Sequence, residues 1–295
     1  MRAAGFMLAS TLCFGAMAIT IRLASATLHT FEIAFFRNFF GLMAVLPLVA
    51  GVDRASLRTK QLPRYFVRCA IGIGSMLAGF WAIGHLPLAQ AISLSYSTPV
   101  FVTIAAAIFL GEHVRARRWA AVAIGFIGVL VIVRPGSAQF STGTLIALLA
   151  AVLSGVVAIQ IKQLSRIDAA NTIVLYTYLF WVPMSLLPAL WVWEWPQGIA
   201  WLWVVGAGIF GTGGQVLWTH ALKLGEVSAL TPISFMQLPL VATAGWLWFG
   251  ESVDGWTWAG AAIILSANAY IAHREAVLTR RAATAAPTSA AVPGE

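Results

Sequence analysis

Three hydroxyls and a proline stand close together in one apolar stretch. Ser93, Tyr96 and Thr103 fall on one face at helical spacing, with Pro99 between them. A proline removes the backbone bond to the residue four positions earlier, so Pro99 frees the carbonyl of Ser95. Where water is excluded that carbonyl needs a partner, and small hydroxyls nearby can supply one. Two uses fit these residues. The hydroxyls mend the break, or they join the freed carbonyl in lining a polar path for a solute. A second stretch repeats the pattern, with Thr231, Ser234 and Gln237 ahead of Pro239. The first stretch closes on Gly111-Glu112 and the second on Gly250-Glu251. Proline breaks in corresponding apolar segments of two halves point to the binding site of a membrane carrier. Pro99 and Pro239 are the expected hinges, and both sets of polar residues are substrate-pathway candidates.

Charges within apolar runs come next. Arg37 lies inside the second run, where a charge at the helix centre costs roughly 2.5–3.5 kcal/mol. It either contacts substrate or a gate, or pairs with Glu32 or another helix. Glu32 lies five residues earlier, a spacing that shares a helix face poorly. A carboxylate there also suits a helix start just after Thr30. Glu112 and Glu251 either cap the turn that follows or latch an inner and an outer gate respectively. The sequence favours neither reading. Glu32 and His220 join them as gate or coupling candidates, although His85 and His220 also suit satisfied structural histidines. Lys162, near the end of its span, suits snorkelling. Trp81, Tyr176, Tyr178, Trp181 and Trp218 lie deep in spans. Packing accounts for such side chains, but any that face a cavity would hold flat, partly apolar solutes by stacking or cation–π contact. No His-x-x-x-His and no Asp/Glu cluster lies within the spans, so no catalytic set, metal site or cofactor is expected.

The elements that must position these residues are membrane helices. Hydrophobic residues make up 60% of the 295 residues and charged residues 9%, against a usual charged share of about 25%. Ten spans are expected, near 3–24, 31–51, 64–85, 88–110, 117–134, 142–162, 172–192, 199–221, 227–249 and 256–273. The run after Arg2 continues to Ile21 and is expected to be a retained helix, not a signal peptide. Cys13 and Cys69 fall inside apolar runs and suit small buried hydrophobes. With the N-terminus in the cytoplasm, every Lys and Arg except Arg22, Arg134 and the intramembrane Arg37 falls on the inner side. That bias predicts both termini inside. Trp191, Trp193, Trp195, Trp201 and Trp203, with Trp246, Trp248, Trp256 and Trp258, flank two outer loops as an aromatic belt. The net charge of +8 therefore faces phospholipid headgroups, and no nucleic acid is implied. Residues 274–295, rich in Ala, Thr and Pro, read as a disordered cytoplasmic tail.

The halves also match beyond the prolines. Gly15, Ile21 and Arg22 recur at a constant spacing as Gly155, Ile161 and Lys162, and Trp119 recurs as Trp258. Five spans per half is odd, so the second copy must enter the membrane from the opposite side. The expected fold is an all-α integral membrane protein of ten helices in two inverted five-helix repeats, 3–135 and 140–273.

These features resemble the EamA-type drug/metabolite transporters: ten spans, two halves, and a proline-bearing helix running through Gly111-Glu112 to a helix carrying Gly125 and Gly128. The stretch from Leu28 to Arg37 also resembles the start of span 2 in the S-adenosylmethionine uptake branch. The resemblance implies a basket of ten helices around a central cavity, moving metabolites without ATP. Span 1 lacks the membrane-embedded Glu that small four-span relatives use to expel lipophilic cations for protons. The reading that follows is a carrier of the inner (plasma) membrane, not an enzyme. It would export an amino-acid-like or other neutral or zwitterionic solute by alternating access. Uptake of S-adenosylmethionine or a similar cofactor is the alternative, and a non-transporting scaffold the remote one. The partners are a small-molecule solute and the bilayer, and a homodimer is compatible with the sequence.

Overall fold

The computed structural model describes residues 2–49, 59–109, 116–137, 141–224, 230 and 233–285. Those residues are helical, without strands. The helices are α1 (Arg2–Ala24), α2 (Thr30–Val49), α3 (Leu62–His85), α4 (Leu88–Ser95), α5 (Thr98–Phe109), α6 (Ala116–Val133), α7 (Thr142–Leu164), α8 (Ala170–Ala189), α9 (Ala200–Leu224), α10 (Gln237–Phe249) and α11 (Gly255–Ala285). A 3-10 turn, Leu190–Val192, follows α8. Among the described residues, seven segments are long and apolar enough to cross a membrane, including the broken rod Leu88–Ile108. Leu12, Phe66, Ile108, Ile127, Leu149 and Leu187 are exposed on the exterior, as a protein solvated by lipid requires.

The helices pair across the two halves. α1 packs on α9 and α3 on α7; α2 meets α8, and α6 meets α11. Small residues set the closest of these contacts, since apolar side chains gain little from leaving lipid and close backbone approach must supply the attraction. A Cβ on Gly128 of α6 would lie 2.9 Å from the Gly260 carbonyl of α11, and one on Gly260 would lie 2.6 Å from the Gly128 carbonyl. Gly15 of α1 receives Leu240 of α10, while Gly155 of α7 receives Phe101 of α5. The first helix of each half thus takes the broken helix of the other.

α11 runs on to Ala285, past position 273 where the sequence places the end of the last span. Alanine is the strongest helix former, so an Ala-rich, Arg-bearing continuation can stay helical after the apolar run stops. Residues 274–285, expected in a disordered tail, are therefore helical, and 286–295 lie outside the described residues.

Candidate functional site

The two breaks form as the prolines require. α4 stops at Ser95, Tyr96 and Ser97 form a turn, and α5 restarts at Thr98. The Ser95 carbonyl, freed by Pro99, accepts from Thr98 Oγ1 at 2.8 Å. On the other side a turn at Phe235–Met236 precedes α10. There the Phe235 carbonyl, freed by Pro239, accepts from Leu238 N at 3.1 Å. One further contact is shared. Thr103 Oγ1 donates to the Pro99 carbonyl at 3.0 Å and Thr243 Oγ1 to the Pro239 carbonyl at 2.8 Å. The breaks also touch each other. Tyr96 Oη donates to the Ser234 carbonyl at 3.1 Å, and its ring meets Phe235 edge-on at 5.6 Å. Asn268 Nδ2, from α11, donates to the Tyr96 carbonyl at 2.7 Å.

Beside the breaks lies a cavity of about 460 Å³, walled by α1, α3, α4, α5, α7, α8 and α10. Phe14, Met17, Met76, Phe80 and several alanines make it largely apolar, while Ser75, Ser95, Thr98, Ser154, Trp181 and Gln237 add polar atoms. Ser75 and Ser154 bond each other at 2.7 Å across α3 and α7. Such a lining, mostly apolar with a few placed polar groups, suits a small organic ligand.

The residues expected on the pathway divide clearly. Trp181 and Gln237 line the cavity. Tyr96 and Ser234 sit where the breaks meet. Ser93 and Thr103 are buried and bond carbonyls of their own rod, Ala89 and Pro99. Trp81 stacks on His85 at 3.9 Å, and Tyr176 lies against Tyr65 at 5.3 Å. Trp218 is exposed on the exterior. His220 Nδ1 bonds the Val216 carbonyl at 2.9 Å, and its ring lies near Phe6. Thr231 and Glu112 lie outside the described residues. The sequence reading passed over Ser75, Ser154, Ser95 and Thr98. Its available signal was the stripe Gly72, Ser75, Gly79 in α3 facing Ala147, Ala150, Ser154 in α7, small residues at helical spacing on both walls.

The end of the molecule that carries the tryptophans is tied by charge. Arg22 Nη2 meets Glu251 Oε1 at 2.6 Å. Arg22 Nη1 also donates to the carbonyls of Ile83, at 3.0 Å, and Gly84. Glu251 Oε2 accepts from Leu88 N at 2.7 Å, which caps the start of α4. Arg22 and Glu251 together thus join α1, the end of α3, the start of α4 and the turn after α10. Nearby, Arg134 pairs with Asp254, whose Oδ1 also accepts from Thr257 N at 3.2 Å at the start of α11. Burial alone would raise the Asp254 carboxyl, but the Thr257 hydroxyl and N–H and the Arg134 guanidinium hold it below its ordinary value of 3.8. Glu32 pairs with neither Arg37 nor Arg22. Its Oε2 accepts from His29 N at 2.9 Å, a capping box for α2, and its Oε1 accepts from Glu194 N.

Deeper in the bundle two arginines surround one indole. The guanidinium carbon of Arg37 lies 6.0 Å from the Trp181 ring centre, and that of Arg68 lies 5.8 Å from it. Arg37 Nη1 donates to Asn38 Oδ1 at 3.0 Å. Arg68 Nη1 donates to Thr177 Oγ1. Trp181 Nε1 donates to the Cys69 carbonyl at 3.2 Å. The sequence reading counts Arg68 among the inner-loop cations. In the fold it lies inside α3 and is only 4% exposed.

Membrane-length helices, paired helix breaks and a small-molecule cavity between them have the build of a membrane transporter. The chain belongs to the EamA-like transporter family, whose model matches residues 1–134 and again 141–272. It is 32% identical over 281 residues to a riboflavin transporter of Vibrio cholerae, covering 94% of each chain. It is 28% identical to an S-adenosylmethionine uptake transporter of Rickettsia felis, over 92% of each. A pseudopaline exporter of Pseudomonas aeruginosa is 32% identical, over 86% of this chain and 90% of that one. A solved crystal structure with 20% sequence identity superposes with a TM-score of 0.65, over 95% of this chain and 98% of that one, so the fold recurs there.

Proposed function

We propose that the chain is an alternating-access carrier of the inner membrane, with ten spans in two inverted repeats and both termini in the cytoplasm. It moves a small, flat metabolite through the cavity between its halves. The observation that carries this reading is the exchange of partners between the halves. α1 sits on α9 as α7 sits on α3, and Gly15 takes α10 as Gly155 takes α5. A pseudo-two-fold axis in the membrane plane produces that swap. The double match of the family model supports two repeats. In this reading the Arg22–Glu251–Leu88 cluster closes the outer end in the described state. Glu112 is the repeat counterpart of Glu251, and Lys162 that of Arg22. These two are the inner latch of the opposite state.

The solute is best taken as a heterocyclic, cofactor-like metabolite. Trp181 and Phe80 wall an apolar space, and relatives are named for riboflavin and S-adenosylmethionine. This moves the weight from amino-acid export to the cofactor-uptake alternative. Export keeps one specific support, the pseudopaline exporter. Counterflow in proteoliposomes preloaded with riboflavin or S-adenosylmethionine tests the reading. Saturable exchange of a labelled solute is expected, and leakage at the rate of empty vesicles for both would refute the cofactor assignment.

A further inference from the structure

We propose that Arg37, Arg68 and Trp181 form a binding site for the carboxylate of an aromatic solute, the anchoring subsite of the cavity. This deepens the carrier reading and rests on it. One buried and one half-buried cation in an apolar bundle, Arg68 and Arg37, call for counter-charge, because an uncompensated charge at depth costs roughly 2.5–3.5 kcal/mol. Among the described residues neither arginine has a carboxylate partner. Glu32, Glu251, Asp168 and Asp254 are engaged elsewhere, Asp168 with Thr59 and Tyr65. Hydroxyl, amide and sulfur contacts are what the two guanidiniums have instead. Each guanidinium carries five donors, and Nε of both Arg37 and Arg68 is buried without a partner.

Both cations stand directly behind the cavity wall. Arg68 lies one turn from Gly72, which lines the cavity, and a Cβ on Gly72 would sit 3.0 Å from Trp181 Cζ2. Arg37 shares the gap at Gly211 with Met17, another wall residue. A Cβ there would meet Met17 Sδ at 2.9 Å and Arg37 Nη2 at 3.0 Å. With no side chain at Gly72 or Gly211, Trp181 and Met17 close directly over the two cations, so a small planar group reaches the guanidiniums from the cavity when one of these side chains swings aside. A carboxylate matches the fork of a guanidinium. Trp181, already flanked by both cations, offers its ring to the aromatic body. The site separates the candidate solutes, since S-adenosylmethionine bears a carboxylate and riboflavin bears none.

Thermal unfolding of the purified full chain in detergent tests this with matched probes. Indole-3-acetate, 4-hydroxyphenylacetate and quinoline-2-carboxylate are each titrated against the corresponding amide. At least one carboxylate is expected to stabilise the protein with an apparent affinity about tenfold or more above its amide, the size of one hydrogen bond to a charged group. Arg68→Gln and Arg37→Gln should each erase that preference. Arg37→Lys keeps the charge but loses the fork, and should retain only part of it, which guards against a variant that fails to fold. Equal binding of acid and amide, no binding of any acid, or a preference that survives both Gln variants overturns the site. Failure of the carrier reading looks different. In that case the carboxylate preference stands, while no solute crosses the proteoliposome membrane.

Discussion

Arginine does two different things in this bundle. At the tryptophan-rich end Arg22 and Arg134 each meet a carboxylate, Glu251 and Asp254. Around Trp181, Arg37 and Arg68 have only neutral contacts among the described residues. The first pair joins helix ends, because a charge with a bonded counter-charge there holds several elements at one point. Nε of Arg37, Arg68 and Arg134 alike is buried without a partner, so what sets the second pair apart is a charge with no carboxylate beside it, in a place where charge is costly. The first arrangement serves the fold and, in the proposed carrier, closes one end. The second is worth its cost only if something else supplies the missing charge.

If that division holds, removing a carboxylate at the closed end should hurt stability most. Glu251→Ala strands the Arg22 charge and the Leu88 N–H, and about 3 kcal/mol of stability should go, read as a lower unfolding midpoint. An unchanged midpoint would place Glu251 outside the structural pair. Next comes Pro99→Ala, which restores a donor to the Ser95 carbonyl and lets α4 and α5 run together. Transport should slow several-fold while folded yield by size-exclusion chromatography holds, an effect of about 1 kcal/mol on the barrier. A yield collapse with normal residual flux would make Pro99 structural alone. Thr98→Val removes the hydroxyl that satisfies the Ser95 carbonyl and should cost about 1 kcal/mol of stability.

The smallest effect concerns Asp254. Its folded carboxyl is held below 3.8. The ion pair with Arg134 therefore contributes at neutral pH and down to that ordinary value, and is lost as pH falls through the depressed folded value. Asp254 is partly exposed, so the contribution is about 0–1 kcal/mol. The unfolding midpoints of the natural chain and Asp254→Asn should differ slightly at pH 7 and converge in acid. A gap that does not narrow at all as pH falls below 3.8 would mean the carboxylate acts through something other than its charge.

Much of this was legible in the residues. Runs of apolar length gave the helices, the prolines gave the two breaks, and the match of Glu251 with Glu112 marked a residue that joins elements. Trp181 and Gln237, singled out as a deep aromatic and as a polar residue near a proline, line the cavity. The hydroxyl face was misplaced for a clear reason. Helical spacing from Ser93 to Thr103 assumes one continuous helix, and the turn at Tyr96–Ser97 resets the phase, so Ser95 and Thr98 face the cavity in place of Ser93 and Thr103. Arg68 was hidden by its neighbours, since a cation close to Arg64 and Lys60 reads as part of a loop. For Glu32 the sequence offered both a helix-start role and a pairing, and the structure takes the first. Its local role as a cap, three residues after His29, outweighed the long-range pairing with Arg37.

One paired measurement bears most directly on the contrast between the two sets of arginines. Glu251→Gln and Arg68→Gln are reconstituted side by side, and unfolding midpoint and initial solute flux are read from the same preparations. Glu251→Gln should lower the midpoint. Arg68→Gln should leave the midpoint level or higher, because a costly buried charge is gone, and cut flux about tenfold or more. An Arg68→Gln protein that transports normally, or that loses as much stability as Glu251→Gln, would contradict the division of roles.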